Sequence, residues 1–276
     1  METGALRNAE TSASSSPAGS DRAPAPEIVT FDEIDSTNAE ARRRAEAGEA
    51  GPLWISARRQ TGGRGRRGRP WETGAGNLAA TCLITTDMPP VQAAQVAFVA
   101  ALAVADLASA YTGPDRVTVK WPNDVLIAGR KAAGILIESG AAGVGRLWLA
   151  IGFGVNLAVP PIAAERPATS FAEHLLAPHA APPSPQAALL ELATAFDRWM
   201  DLWERLGFAA VARAWTARAH GLGRACTVRL AQATLEGVAL GLDGDGALRL
   251  RLDDGSIRRI TAGDVFFADD GLGGTV

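Results

Sequence analysis

Gly62-Gly63-Arg64-Gly65-Arg66-Arg67-Gly68-Arg69-Pro70-Trp71 decides the fold, because two incompatible architectures can be read from it. Its Gly63-x-Gly65-x-x-Gly68 spacing matches the dinucleotide-binding fingerprint, and Asp87 follows at about the distance of the ribose-binding acid. Such a glycine loop must open a helix, yet Pro70, Gly74 and Gly76 stand where that helix would run, and arginines fill the variable positions. The doubly wound parallel sheet therefore lacks its context. Lying between the β-compatible runs Leu53 to Ala57 and Leu78 to Ile84, the stretch reads instead as a loop joining two strands. Six arginines lie from Arg58 to Arg69 with no acid among them, and four glycines from Gly62 to Gly68 let the backbone approach a ligand closely. Planar, permanently charged guanidinium forks suit phosphate or carboxylate oxygens, so the loop reads as an anion clamp. A solvated basic turn is the other reading of a bare Arg/Gly run.

The chain's 276 residues suit one large domain or a domain with a small appendage, and 47% hydrophobic residues suffice for a sizeable core. A net charge of −3 argues against a general nucleic-acid binder, so the arginine cluster is a local feature that implies a local ligand. Cys82 and Cys226 lack metal-ligand spacing and sit in apolar, strand-like surroundings, which predicts buried free thiols in a reducing, cytoplasmic compartment. Residues 1–27, rich in Ala, Ser, Pro and Gly and without the apolar centre of a secretory signal, read as a disordered tail. Val91 to Tyr111 is apolar for about the length of a membrane span. Gln92, Gln95, Asp106 and Ser109 interrupt it and Pro89-Pro90 precedes it, so a buried core helix and no membrane contact is expected.

In chain order, Ile28 to Ile34 predicts a first strand, and Asp35-Ser36-Thr37-Asn38 can cap a helix over Ala39 to Ala47. Further strands are expected at Val117 to Lys120, Val125 to Ile127, Ala133 to Glu138 and Leu147 to Val155, with turns at Ala128-Gly129-Arg130 and Gly140 to Gly145. The sheet is expected to be antiparallel there. Helical periodicity over Gln186 to Leu206 and Phe208 to Ala219 puts Trp199, Trp203 and Trp215 on apolar faces. From Gly223 the pattern becomes short alternating strands, Cys226 to Leu230, Leu235 to Leu242, Leu248 to Leu252 and Ile257 to Ile260, with Asp245-Gly246 and Asp254-Gly255 as hairpin signals. A small barrel fits.

Other chemistries find no support. A Walker lysine motif and the kinase signatures are absent, and His174, His179 and His220 form no pair at metal spacing and have no serine elbow. The 27 basic residues are all arginine except Lys120 and Lys131, which flank Trp121-Pro122-Asn123-Asp124. A compact ammonium reaches a single oxygen where a planar fork cannot, so these two exceptions point to a site, against the alternative of chance survivors of compositional drift.

Asp35-Ser36-Thr37-Asn38, the loop from Gln60 to Trp71, Lys120-Trp121-Pro122-Asn123-Asp124, Arg130-Lys131-Ala132-Ala133-Gly134-Ile135-Leu136-Ile137-Glu138 and Gly152-Phe153-Gly154-Val155-Asn156-Leu157 together resemble the biotin–protein ligases, in order and in spacing. The resemblance covers about residues 28 to 270. It implies an α+β fold: a mixed, mainly antiparallel sheet with helices, of the class II synthetase-like kind, over residues 28–222, followed by a small SH3-like β-barrel over residues 223–270. Larger bacterial members add an amino-terminal helix-turn-helix domain and repress transcription. Here a tail precedes the Ser36-Thr37-Asn38 motif, so neither DNA binding nor repressor function is expected.

The implied reaction activates biotin to biotinoyl-5'-AMP with release of pyrophosphate, then transfers biotin to a lysine of a biotin carboxyl carrier protein or domain. Activation brings a carboxylate against the α-phosphate of ATP, two anions that repel until cations stand between them. By resemblance, Arg64, Arg66 and Arg67 belong to a loop that orders over biotin and the adenylate, Lys131 contacts the reacting carboxylate and phosphate, and Lys120 and Asp124 flank the reaction centre. Ser36, Thr37, Asn38, Gln60, Gly63, Gly134 and Gly152, with Arg64, Arg66 and Lys131, match the family's biotin positions. Trp71 would stack on adenine, and Asn123 and Asn156 join Arg66, Arg67 and Lys131 at the nucleotide. Magnesium would travel with ATP, with no residue assigned to it as a ligand. A homodimer is one possible assembly; the sequence leaves the oligomeric state open. Bland readings stand beside these: Gly134 and Gly152 as strand glycines that permit close packing, and Ser36 as a helix cap. Lipoyl or octanoyl transfer on a related fold, and RNA binding through the Arg/Gly segment, are the rival functions.

Overall fold

β1 (Ile28–Ile34) leads into α1 (Thr37–Glu46) and then into β2 (Leu53–Gln60), and the two strands lie parallel, Ile28 opposite Trp54 and Ile34 opposite Gln60. Parallel neighbours need a crossover, and α1 supplies it. A computed structural model describes residues 26–162, 167–177, 179 and 181–268. Most of the tail expected over residues 1–27, and residues 269–270 of the expected barrel, lie outside these.

β3 (Leu78–Thr86) follows the arginine loop, then α2 (Pro90–Ala93) and α3 (Val96–Thr112), β4 (Val117–Lys120), β5 (Asp124–Ile127), β6 (Arg130–Ala141) and β7 (Leu147–Val155). Seven strands form one sheet in the order β1-β2-β3-β7-β6-β5-β4, and every pair after β1–β2 is antiparallel. The mixed, mainly antiparallel α+β fold expected from the sequence is the one observed. The turn between β5 and β6 holds Ala128 at φ 50° and Gly129 at φ 75°, the paired left-handed geometry of a tight hairpin.

The apolar segment after Pro89 packs inside the protein. From Val99 to Ala105 every residue is at most 1% exposed, so the helix is covered on all sides, by the sheet on one and by α4 (Pro185–Leu206) on another. Its length and apolarity would suffice for a membrane span, but burial on every face accounts for the alanines, whose small side chains let the neighbouring layers approach. Asp106, which interrupts the apolar run, collects Arg198 and Arg218, each at 2.6 Å, and the Trp199 indole N–H at 2.8 Å. Trp203 and Trp215 are buried as expected, whereas Trp199 is only partly covered and spends its polar edge on that carboxylate.

After α5 (Phe208–Ala217) come β8 (Ala225–Arg229), β9 (Thr234–Leu242), β10 (Leu248–Arg251), β11 (Ile257–Ile260) and β12 (Asp264–Phe267), an antiparallel sheet in the order β11-β10-β9-β8-β12. Alternation is clean, with Leu248 and Leu250 inside and Arg249 and Arg251 outside. This second sheet shares the core of the first. Phe98 of α3 packs edge-on to Phe208 at 5.3 Å and Trp215 at 5.6 Å, Gly246 lies directly against the Phe98 ring, and the Trp121 indole donates to the Gly246 carbonyl at 3.1 Å.

Candidate functional site

Three glycines open a trough in the face of the large sheet. Gly152 and Gly154 are two apart on β7, so they share a face, and the register sets Gly134 of β6 opposite Gly154. A methyl group at Gly154 would stand 2.4 Å from the indole Cζ2 of Trp71, and one at Gly134 would stand 3.1 Å from the same ring and 3.2 Å from Lys131 Nζ. The missing side chains are what let Trp71, at the end of the arginine loop, lie down on the strands.

The amide of Asn38 fills the trough over Gly152 in the same way, and a cluster of polar side chains gathers around it. Asn38 donates from Nδ2 to Glu138 Oε2 at 2.9 Å and to the Leu136 carbonyl at 3.3 Å, while its Oδ1 accepts from Thr81 Oγ1 at 2.7 Å. Thr81 also lies 2.8 Å from Thr37 Oγ1, and Gln60 Oε1 accepts from both the backbone N–H of Thr37, at 2.9 Å, and its hydroxyl, at 3.1 Å. The capping role read into Asp35-Ser36-Thr37-Asn38 is thus corrected. Ser36 occupies the cap position without a side-chain cap bond, the first helical N–H is taken by Gln60 of β2, and Thr37 and Asn38 are buried inside the helix facing the sheet. Asp35 turns outward, and the Arg43 guanidinium, bonded to both its oxygens at 2.9 Å, holds its carboxyl down at about 2.

Between this polar end and the arginine loop lies a cavity of about 240 Å³ lined by Thr37, Asn38, Gln60, Arg66, Trp71 and Lys131 among others. Lys131 Nζ sits 2.6 Å from Asp124 Oδ1 and 5.5 Å from the Trp71 ring centroid, so the ammonium is held at one edge of the cavity by a carboxylate and an aromatic face. Arg64 Nη2 is 3.8 Å from Glu138. Arg66 donates to Asn123 Oδ1 at 3.2 Å and to the Gly263 carbonyl at 3.0 Å. Burial pulls its guanidinium below the ordinary value, Asp264 and Asp124 oppose that, and the group stays charged. The loop's charge, unopposed in the local sequence, meets Asp264 of β12: Arg67 and Arg69 each bond that carboxylate at 3.1 Å, and Arg66 stands 3.7 Å away.

Of the residues singled out in the sequence, Ser36, Thr37, Asn38, Gln60, Arg64, Arg66, Trp71, Asn123, Asp124, Lys131, Gly134, Gly152 and Asn156 line this one cavity. Lys120, Gly63 and Arg67 do not. Lys120 lies opposite the cavity-lining Asp124 in the register, and its ammonium is buried 5.5 Å from the ring centroid of Phe267. Arg67 turns to Asp264, and Gly63 serves geometry, since a methyl group there would stand 2.5 Å from the Trp71 carbonyl oxygen. Thr81 and Asp264 are additions from outside every quoted motif, Glu138 and Gly154 stood in motifs without a role of their own, and Arg69 was read only as one arginine of the anion clamp. Thr81 had a signal, as a polar residue in an apolar strand; Asp264 had none.

The amino-terminal part, residues 30–156, matches the biotin/lipoate A/B protein ligase family, and residues 221–268 match the biotin protein ligase C-terminal domain. The chain is 43% identical over 235 residues to the biotin–[acetyl-CoA-carboxylase] ligase of Paracoccus denitrificans, covering 84% of this chain and 97% of that protein. It is 30% identical to the bifunctional ligase/repressor BirA of Escherichia coli, over 86% of this chain and 73% of that one. Among solved structures, biotin protein ligase from Aquifex aeolicus in complex with biotin and ATP superposes with a TM-score of 0.71 at 24% identity, covering 87% of this chain and 97% of that one, a likeness of fold. With both parts of the chain matched in order and a relative matched nearly end to end, this chain belongs to the biotin protein ligase family of enzymes.

Proposed function

We propose that the protein joins biotin to ATP as biotinoyl-5'-AMP and then to a lysine of a biotin carboxyl carrier domain. The observation that carries this reading is that Lys131, Arg64 and Arg66 of the arginine loop, and the hydrogen-bonding Thr37, Asn38 and Gln60 all line one cavity. In the first step a biotin carboxylate oxygen attacks the α-phosphorus of ATP and the bond to the β-phosphate oxygen breaks, releasing pyrophosphate. Lys131 would stand between the two anions, oriented by Asp124, where fixed positive charge lowers the barrier most. Thr37, Gln60 and Asn38 supply donors and acceptors suited to a ureido ring, and the apolar floor suits the rest of biotin. Trp71, Asn123 and Asn156 are left for the nucleotide, with Arg64 and Arg66 over the anions. In the second step the neutral amine of the carrier lysine attacks the acyl carbon, an amide forms, the bond to AMP breaks and the amine proton leaves. A loop that covers the mixed anhydride protects it from water meanwhile.

Magnesium finds no ready-made protein cage: among the described residues no group of three His, Cys, Asp or Glu is placed to hold a metal, and Asp124 is engaged by Lys131. The ion would arrive on the nucleotide, and no step here runs through it. The division into a catalytic unit over residues 28–222 and an SH3-like unit over 223–270 is supported by two sheets that share no strand. Buried free Cys82 and Cys226 support a cytoplasmic setting. We infer no repressor role, since the relative matched over 97% of its length is named a ligase alone; an operator-binding assay would test that.

The deciding experiment is mass spectrometry of a carrier domain incubated with the protein, biotin and ATP, beside reactions without ATP and with lipoate in place of biotin. An ATP-dependent gain of one biotin on one lysine is expected. Modification of a lipoyl domain instead would move the protein to the sister activity, which the shared name of the first family match keeps in view.

A further inference from the structure

Thr81 is a polar residue in an apolar place. On β3 it stands in register with Ile55 of β2 and Gly152 of β7, fully buried, on the face that Leu53, Ile55 and Leu83 make apolar beneath α1. A hydroxyl there costs free energy unless its hydrogen bonds are made. Its partners form a chain with an amide oxygen at each end. The Asn38 amide can point only one way, because its Nδ2 faces two acceptors, the Leu136 carbonyl and the Glu138 carboxylate; its Oδ1 therefore faces Thr81. Gln60 is fixed likewise, since its Oε1 accepts the backbone N–H of Thr37. Between these ends run three oxygen–oxygen contacts: Asn38 to Thr81 at 2.7 Å, Thr81 to Thr37 at 2.8 Å and Thr37 to Gln60 at 3.1 Å. The two hydroxyls bring only two protons, so one contact goes without. Asn38 Oδ1 has no proton to give and takes that of Thr81. The Thr37 proton is then left to serve either Thr81 or Gln60. Given to Gln60, it would leave two bare hydroxyl oxygens 2.8 Å apart in the dry interior, the costlier arrangement. Given to Thr81, it leaves the longer contact bare, and that contact borders the cavity, which Thr37 and Gln60 line and Thr81 does not.

We propose that Thr81 is a positioning residue that draws the Thr37 proton away from the cavity, leaving the Thr37 and Gln60 oxygens as a pair of acceptors that a ligand N–H completes. This rests on the ligase reading for the ligand, whose ureido ring carries the N–H. A ligand without a donor at this point leaves the two oxygens facing each other unpaired, which a site of this kind penalises. Without the Thr81 hydroxyl the Thr37 proton turns to Gln60, the pair closes on itself, and the ligand N–H finds one acceptor already occupied.

Calorimetric titration of the full chain with biotin, beside the steady-state KM for ATP, tests this in wild type, Thr81→Val, Thr81→Ser and Thr37→Val and in the double variant T37V/T81V. T81V keeps the shape and loses the hydroxyl; it should bind biotin about tenfold more weakly, the worth of one neutral hydrogen bond, with the KM for ATP unchanged. T81S, which keeps the hydroxyl, should bind as wild type does. Because Thr81 acts through the Thr37 proton, adding T81V to T37V should weaken biotin binding much less than T81V does alone. Equal biotin affinity of T81V and wild type overturns the proposal. So does a T81V penalty that is the same with and without the Thr37 hydroxyl, or one that raises the KM for ATP alike, as general loosening of the fold would. Should T81V fail to fold, Thr81→Cys carries the same expectation, since a thiol is a poor hydrogen-bonding group. A wild type that binds no biotin overturns the ligase reading together with the ligand named here, whereas a wild type that binds biotin no better than T81V overturns the role of Thr81 alone.

Discussion

Lys131 is the side chain on which the chemistry should depend most. Its ammonium is fixed 2.6 Å from Asp124 at the cavity edge, and a neutral, shorter residue would leave the carboxylate and the α-phosphate to repel one another across unshielded space. Lys131→Ala should lower biotin-dependent pyrophosphate release by about 10²–10³-fold, the usual cost of losing a fixed group that stabilises developing charge. Near-normal release would remove Lys131 from the first step. Gly152 tests the other end of the cavity. A methyl group there would stand 2.2 Å from Asn38 Oδ1, and Asn38 cannot simply turn aside, because its amide is bonded to Glu138, Leu136 and Thr81. Gly152→Ala should destabilise the fold by about 1–3 kcal/mol through overpacking. It should also raise the KM for biotin while sparing that for ATP. An unchanged biotin KM would mean that the ureido ring is not recognised by the Asn38 cluster.

At the scale of elements, α3 is the beam between the sheet and α4, and its Leu102 is fully buried. Leu102→Ala should cost about 2–5 kcal/mol, read as a lower denaturant midpoint at constant slope. A loss under about 1 kcal/mol would contradict the close packing described here. The existence of this helix was legible because the mostly apolar run from Val91 to Tyr111 after a double proline allows little else, and β1, β4 and β7 were legible to the residue because turn residues bound them on both sides. Less legible was anything settled by a partner distant in sequence. The parallel pairing of β1 with β2 depends on α1 folding back as a crossover, which no local pattern announces. Ser36 and its neighbours have cap chemistry, yet Gln60 supplies the cap once β2 lies beside β1. β12 escaped because four residues between turns carry no alternation, and with it went Asp264, whose meaning lies in three arginines on another sheet's loop. The cavity residues were found mostly through the family resemblance; geometry then sorted Lys120 and Arg67 away from it.

The whole molecule should unfold as one unit although it contains two sheets. A chain of 276 residues exceeds the size, about 150 residues, at which single transitions are usual, so separate melting of the second sheet would be the default. Three kinds of contact oppose it. Phe98, Phe208 and Trp215 continue into Gly246 and the second sheet without a break in the apolar cluster, the Trp121 indole is bonded to the Gly246 carbonyl, and the arginine loop is tied to Asp264. Losing the second sheet would bare these aromatics to water, and each buried ring removed from its neighbours is worth about 1.5–3 kcal/mol of transfer free energy. That penalty makes a half-unfolded state scarce. Calorimetry should therefore show a single transition with the van't Hoff and calorimetric enthalpies equal, and Phe98→Ala should shift that one transition downward by about 3–5 kcal/mol without splitting it. Two resolved transitions in the wild type would show that the shared aromatic cluster does not couple the sheets. Splitting only in the variant would place most of the coupling on the Phe98 ring and little on the Trp121 bond or the loop.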